Sequence, residues 1–217
     1  MKKFLFSISI IAAIFSACHK VNNVTPTTPK NVFIVDTQYP TVVIYNQTWT
    51  AVNYNGPGGV AYNNAVNYTP ANGKLYTQDE ANAIPLSAGW RLPTEDDFNN
   101  LLSAVGVSEP PKGSNTGTAA TGARVLGLIS ATGWVTGGGT NSTGFNSLPA
   151  GYFDEELSSQ PSFNGQGANA LFICSSTYNG NQLSFNISHY PTYSMALQTN
   201  LVQFPTDRAS IRFVKDN

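Results

Sequence analysis

Cysteine is nearly absent from this chain: Cys18 and Cys174 are the two in 217 residues. Cys18 closes an apolar leader, so one thiol remains beyond it and no internal disulfide is available to the folded part. Its stability must therefore come from a hydrophobic core. Charge is scarce as well, Asp, Glu, Lys and Arg together making 11% of the chain. Setting aside Lys2 and Lys3 turns eleven basic residues into nine, against twelve acidic ones, a net charge near −3. No basic patch or stripe of the sort nucleic acid requires is present, which excludes nucleic acid as a partner. Histidine is limited to His19 and His189. No apolar run approaches the roughly 20 residues that cross a hydrocarbon core, and no internal repeat appears, so the chain carries one copy of its unit.

Asn, Thr, Ser, Gly and aromatic residues are abundant instead, a composition that favours a loop-rich, β-containing extracytoplasmic domain over a helical cytosolic enzyme. Residues 1–17 run from Lys2-Lys3 through an apolar stretch, Phe4 to Phe15, to the small Ser16 and Ala17, the anatomy of a secretory signal. Phe15-Ser16-Ala17-Cys18 resembles a bacterial lipobox, in which a diacylglycerol thioether is built on the cysteine and the leader is cut just before it; Phe15 stands where Leu is typical. Two or three acyl chains on one residue give a lasting tether where one chain binds only marginally. The expected product is an outer-membrane lipoprotein, facing the cell surface or the periplasm, with membrane contact through lipid on Cys18. Residues 18–30 are polar, contain Pro26 and Pro29 and show no hydrophobic period, so they read as a flexible tether. The rest, 31–217, suits a single domain.

Val32 to Val35 and Thr41 to Tyr54 are enriched in β-branched and aromatic residues, which predicts strands in a hairpin or meander, with turns at Asp36 to Pro40 and around Asn46-Gln47. Tyr54 to Asn72 is rich in Asn, Gly and Pro and should be irregular. Thr77-Gln78-Asp79-Glu80 has capping-box spacing and predicts a short helix ending before Pro85. Thr94-Glu95-Asp96-Asp97 puts three acids in a positive first turn, ahead of Phe98, Leu101, Leu102 and Val105 at helical spacing. Ala123 to Ile129 reads as a modest helical or extended run. Short strands are predicted at Leu171 to Cys174, Leu183 to Ile187, Ser194 to Leu197 and Ile211 to Val214.

Several ordered motifs together resemble the Fibrobacter succinogenes major paralogous domain family, exported proteins common in Bacteroidetes and Fibrobacteres. They are Thr41-Val-Val-Ile-Tyr-Asn-Gln-Thr-Trp49, Gly73-Lys-Leu-Tyr76-Thr77, Gly89-Trp90-Arg91-Leu92-Pro93-Thr94, Gly144-Phe145-Asn-Ser-Leu148-Pro149-Ala-Gly151-Tyr152, Ser175-Ser-Thr177 and Ser210-Ile-Arg212-Phe-Val-Lys215-Asp216. The Gly-Trp-Arg-Leu-Pro-Thr run is also distantly similar to formylglycine-generating enzymes. The resemblance implies an α+β, C-type-lectin-like domain over 31–217, with two or three short helices, small antiparallel sheets and long loops. It gives Trp49, Gly89, Trp90, Arg91, Leu92, Pro93, Thr94, Phe145, Gly151 and Arg212 structural parts. The family usually has cysteines where this chain has Leu86 and Phe213, which implies that these two residues touch in place of a bridge. Cys174 stands where Trp is common and should be a buried thiol, and Tyr45 replaces a usual glycine.

No constellation points to chemistry. His189 has no Gly-x-Ser-x-Gly elbow to serve, and the apolar neighbours of Cys174 argue against an activated thiolate. One cysteine in the domain does not suffice for the copper oxidase chemistry of formylglycine-generating enzymes. The Glu-Pro-Asn or Gln-Pro-Asp loop and Trp-Asn-Asp run of calcium-dependent lectins are missing, Glu109-Pro110-Pro111 standing alone, so neither a metal nor another cofactor is expected. The acids Asp79-Glu80 and Glu95 to Asp97 read as helix starts, and Asp154 to Glu156 as a solvated loop. Trp49 and Trp90 read as core rather than as a sugar platform, and Arg91 as an ion pair or loop clamp. Tyr54, Tyr62, Tyr68, Tyr178, Tyr190 and Tyr193 lie in Asn-rich, loop-like context and are the candidate ligand-binding residues. The expectation is a monomeric, non-enzymatic binding or adhesion module for a glycan or an envelope protein. The competing readings are a self-assembling or fimbria-associated surface protein and an envelope enzyme acting on polysaccharide.

Overall fold

A computed structural model describes residues 30–64, 72–107, 122–155, 161–189, 193–198 and 206–217. Cys18 and the tether before residue 30 lie outside them. The chain opens with β1 (Asn31–Ile34), β2 (Thr37–Ile44) and β3 (Gln47–Thr50), followed by a 3₁₀ turn at Tyr62–Asn64. Helices α1 (Gln78–Asn82), α2 (Glu95–Ala104) and α3 (Gly122–Val125) come next. Strands β4 (Tyr152–Asp154), β5 (Ser162–Asn164), β6 (Asn169–Tyr178), β7 (Asn181–His189), β8 (Tyr193–Gln198) and β9 (Val214–Asp216) complete the order. They form three antiparallel sheets, β1-β2-β3-β9, β4-β5 and β6-β7-β8. The domain is small, sheet-rich and sparing in helix.

The first meander turns more tightly than the sequence suggests. Ile34 pairs with Thr37 and Ile44 with Gln47, so each turn has two residues. The stretch expected to turn from Asp36 to Pro40 is already strand from Thr37, because Pro40 lacks an N–H but its carbonyl still accepts from Ala51 at 2.8 Å. Tyr45 adopts the left-handed region at φ 55, the conformation that a glycine takes most easily.

Both predicted helix starts form, the capping box expected at Thr77 and a second one at Thr94. Thr77 Oγ1 accepts the Glu80 N–H at 3.1 Å while Glu80 accepts the Thr77 N–H at 2.9 Å; Thr94 and Asp97 repeat the exchange at 3.3 and 2.6 Å. In α2 the spacing then buries Phe98, Leu101 and Leu102 on one face. The run from Ala123 to Ile129 is helical only to Val125. Gly127, poor in a helix interior by about 1 kcal/mol, lies in the turns that follow.

Two apolar clusters share walls of chain. Alternation along β6 sends Ala170, Phe172 and Cys174 to one cluster and Leu171 and Ile173 to the other. The closing segment behaves likewise: Ala209, Ile211 and Phe213 face the second cluster, and Val214 the first. It docks on β6 in parallel, Ile173 N–H donating to Ser210 O at 3.0 Å and Ser210 N–H to Leu171 O at 2.9 Å. Leu86 packs against the cluster that contains Phe213. In the first cluster Trp49 meets Phe98 and Phe145 at ring distances of 5.6 and 5.4 Å, and Phe98 stacks on Phe185 at 4.5 Å. Each such ring, once buried, contributes about 1.5–3 kcal/mol. Cys174 is buried here, and burial pushes its thiol up to about 11.

Arg212 is fully buried. Its Nε donates to Asn53 Oδ1 at 2.7 Å, Nη1 to the carbonyls of Thr50 and Phe145 at 2.7 and 2.8 Å, and Nη2 to Asn146 O at 2.9 Å. The guanidinium carbon lies 4.8 Å from the Phe145 ring centre and 5.6 Å from that of Phe172. Burial pushes its pKa down to about 9, still above neutrality, so it carries its charge at pH 7.

Arg91 joins the start of α2 to β9. It forms a two-point pair with buried Asp97 and reaches Asp216 at 3.0 Å; Gln47 also donates to Asp97. The Asp216 arm is solvent-exposed and worth about 0–1 kcal/mol. Burial alone would raise the Asp97 pKa, but the hydrogen bonds from Arg91 and Thr94 outweigh it and the net shift is downward. A carboxylate held below its unfolded value stabilises the fold above about pH 4, and loses that stability as pH falls through the folded pKa. Asp97→Asn should therefore cost about 2 kcal/mol at pH 7 and much less below pH ~3, flattening the acid limb of a urea-unfolding series. An acid limb unchanged by the substitution would show that this clamp does not carry it.

Candidate functional site

A groove of about 310 Å³ opens beside the β4-β5 hairpin, between it and the loop that carries the 3₁₀ turn. Phe153 and Phe163 from the hairpin and Val60 from the loop form its apolar wall, while Glu155, Arg208 and Asn64 supply polar groups. Pro161 and Thr206 complete the lining.

Local sequence explains why these side chains meet. Phe153 and Phe163 are cross-strand partners in β4-β5, and their rings pack edge to face at 4.9 Å. Tyr62 lies against Phe163 at 5.3 Å. That approach requires Gly151, at φ 76, because a Cβ there would fall 2.7 Å from the Tyr62 ring and 2.5 Å from Asn164 O. The other strand edge of β4 is taken by the closing segment, Phe153 and Arg208 exchanging two backbone hydrogen bonds at 3.0 Å. The loop wall is anchored too: Val60 and Leu75 exchange backbone hydrogen bonds, and Lys74 Nζ donates to Gly56 O and Gly58 O at 3.1 Å.

Glu155 and Arg208 are the charged side chains among the groove's described lining. Arg208 donates to Glu80 at 2.6 Å, and the same Glu80 oxygen caps α1, so the guanidinium is held from behind. Glu155 is exposed, and its N–H donates to the buried carboxylate of Asp207 at 3.0 Å. Asp154, read from sequence as part of a solvated loop, is a buried strand residue, because pairing of β4 on both edges draws it inward. Burial and the neighbouring Asp154 and Tyr62 raise the Tyr152 pKa.

Among the described residues, the tyrosines singled out in the sequence do not gather. Tyr54 is not an exposed ligand contact: it is 1% exposed, with its ring 5.2 Å from Tyr76 and edge-on to Phe213 at 5.5 Å. Its aromatic area overrides the polar loop context, and burial, with a smaller effect of Tyr39, raises its pKa to about 12. Tyr62 packs on Phe163, which lines the groove, without lining it itself. Tyr178 is 37% exposed at the end of β6, on a different sheet. Tyr68 and Tyr190 lie outside the described residues, as does the side chain of Tyr193. Trp134 is buried and donates to Ser147 O at 3.3 Å. Trp90 is half-buried, and Pro93 O accepts the Ser175 N–H at 2.8 Å. Leu92 and Phe145 are buried, Gly89 sits at φ 83, and Thr94 caps α2. Sequence reasoning missed Phe153, Phe163, Glu155 and Arg208. Their signal was the pair of short aromatic-centred pieces, Tyr-Phe-Asp and Ser-Phe-Asn, each below the usual strand length.

The family model described as Fibrobacter succinogenes major domain matches residues 36–215. No curated protein and no solved structure matches the chain.

Gly151→Ala places a Cβ on backbone at 2.5 Å in a left-handed conformation. It should lower the unfolding free energy by about 2 kcal/mol or more and shift the aromatic proton resonances of Tyr62 and Phe163. Unshifted resonances with undiminished stability would show that the hairpin and the loop do not pack as described.

Proposed function

The chain belongs to the Fibrobacter succinogenes major domain family, and on that premise we propose that it is a cell-envelope lipoprotein whose domain binds a glycan or protein ligand without transforming it. The observation that carries this reading is the groove at β4-β5, where aromatic rings lie beside a guanidinium and a carboxylate in an open wall. Ligand sites of this kind combine apolar area with a few placed polar groups. One carboxylate, Glu155, lines the described wall, whereas glycoside hydrolysis uses a pair across the scissile bond; this favours holding a ligand over cleaving one. The nucleophile candidate Cys174 is buried with its pKa raised, the opposite of an activated thiol. A C-type-lectin-like arrangement of the domain belongs to the same proposal.

The address rests on the leader and on Cys18. Lipid at that sulfur holds the domain at the outer membrane, and the polar tether from 18 to 30 gives the groove reach. The domain acts as a monomer in this reading.

Two measurements on the native product decide it. Mass spectrometry should find an amino terminus at Cys18 carrying acyl chains; a free thiol there, or an uncut leader, removes the anchor. A glycan array and an envelope pull-down with the full chain should yield a ligand that is lost with Phe163→Ala. Failure to retain any ligand in either format contradicts the binding role.

A further inference from the structure

The chemistry of the groove narrows its ligand. Building on the binding role just described, we propose that it takes one or two rings of a neutral glycan and discriminates against uronic-acid sugars. An uncharged pyranose lies on Phe163 and Phe153, with its hydroxyls shared between Glu155 and Arg208.

Size comes first. About 310 Å³ is at the small end of ligand sites, enough for a ring or two rather than a long extended segment. The apolar wall is also stiff. Phe163 is held by Phe153 edge-on and by Tyr62 at a tilt, so a flat C–H face meets a ring already fixed in place.

The polar groups suit hydroxyls. Glu80 is the one acceptor that the Arg208 side chain meets among the described residues, and it engages a single nitrogen. The rest of the planar fork remains for a pair of adjacent hydroxyl oxygens, while Glu155 accepts from hydroxyl protons. Glu80 fixes the fork from the protein side, which lowers the entropy lost on binding.

Charge sets the preference. Of the charged groups among the groove's described lining, Glu155 is the acid and Arg208 the base, and Glu80 already pairs that guanidinium. A second carboxylate brought in on a sugar would meet a net negative rim, and repulsion of that kind is how a site rejects a near-isostere. These acids do not converge as a metal-binding group among the described residues.

A peptide strand is disfavoured by the backbone. β4 is paired on both edges, by β5 and by Arg208, and Ser162 O accepts from Asn164 Nδ2 at 3.1 Å. Strand addition therefore lacks a clean row of free groups to pair with.

The test titrates the full chain by calorimetry with neutral trisaccharides of glucose, mannose and galactose, with trigalacturonate, and with a lysine-rich peptide. At least one neutral trisaccharide should saturate a single site and bind tenfold or more tighter than trigalacturonate. Phe163→Ala and the better-packed Phe163→Leu should each weaken it at least tenfold, with melting temperatures near that of the parent. Glu155→Lys should strengthen trigalacturonate at least tenfold. Should trigalacturonate or the peptide bind tightest, and lose affinity in the Phe163 variants, the groove remains a binding site and the neutral-sugar assignment is wrong. Should no probe bind, or should binding ignore both positions, the groove itself is not the ligand site and the assignment falls with it.

Discussion

A single guanidinium, that of Arg212, sits fully desolvated where three stretches of chain meet. Burying an unpaired charge is costly, and no carboxylate pairs with it among the described residues. Four hydrogen bonds and the faces of Phe145 and Phe172 hold it instead. Those acceptors fix the end of β3 through Thr50 and Asn53, and the loop through Phe145 and Asn146. Losing the partners of a buried charge costs about 3–5 kcal/mol, against about 0–1 kcal/mol for an exposed pair such as Arg91 and Asp216.

That junction reaches the groove through continuous backbone. The closing segment carrying Arg212 also carries Arg208 four residues earlier, and between them Ser210 is bonded to β6. Arg212 sets where the segment lies, β6 sets its register, and Arg208 then pairs with the far edge of β4. Gly151 permits Tyr62 and β5 to close on the other side. The groove thus stands on a hydrogen-bonded wall, and its guanidinium is held by α1 through Glu80.

Much of this was legible in the residues, and the rest for definite reasons was not. Thr77 and Thr94 announced two helix starts, because capping chemistry is local and depends on spacing. The apolar run from Leu171 to Cys174 read as strand, and its burial on both faces explains why it does not alternate with polar residues. Tyr54 misled because an Asn-rich neighbourhood describes the backbone and not where an aromatic ring packs. Asp154 misled because acids usually face water, and its burial depends on Arg208, distant in sequence. The groove depends on Phe153 meeting Phe163 across a hairpin of three-residue strands, too short for a periodic pattern to register. Tyr45 shows that a two-residue turn can hold a bulky side chain in the left-handed region that glycine takes most easily.

The buried charge also suits a domain without disulfide bridges. Directional bonds from one side chain tie segments distant in sequence, Thr50 and Asn53 on one side and Phe145 and Asn146 on the other. Nitrogen-resolved NMR of the arginine side chains at neutral pH tests this most directly. A guanidinium held at four points gives separate, exchange-protected Nε and Nη proton signals for Arg212, with protection close to that of the most protected backbone amides. A single averaged Nη signal exchanging quickly with water would contradict the buried junction and the fold built around it.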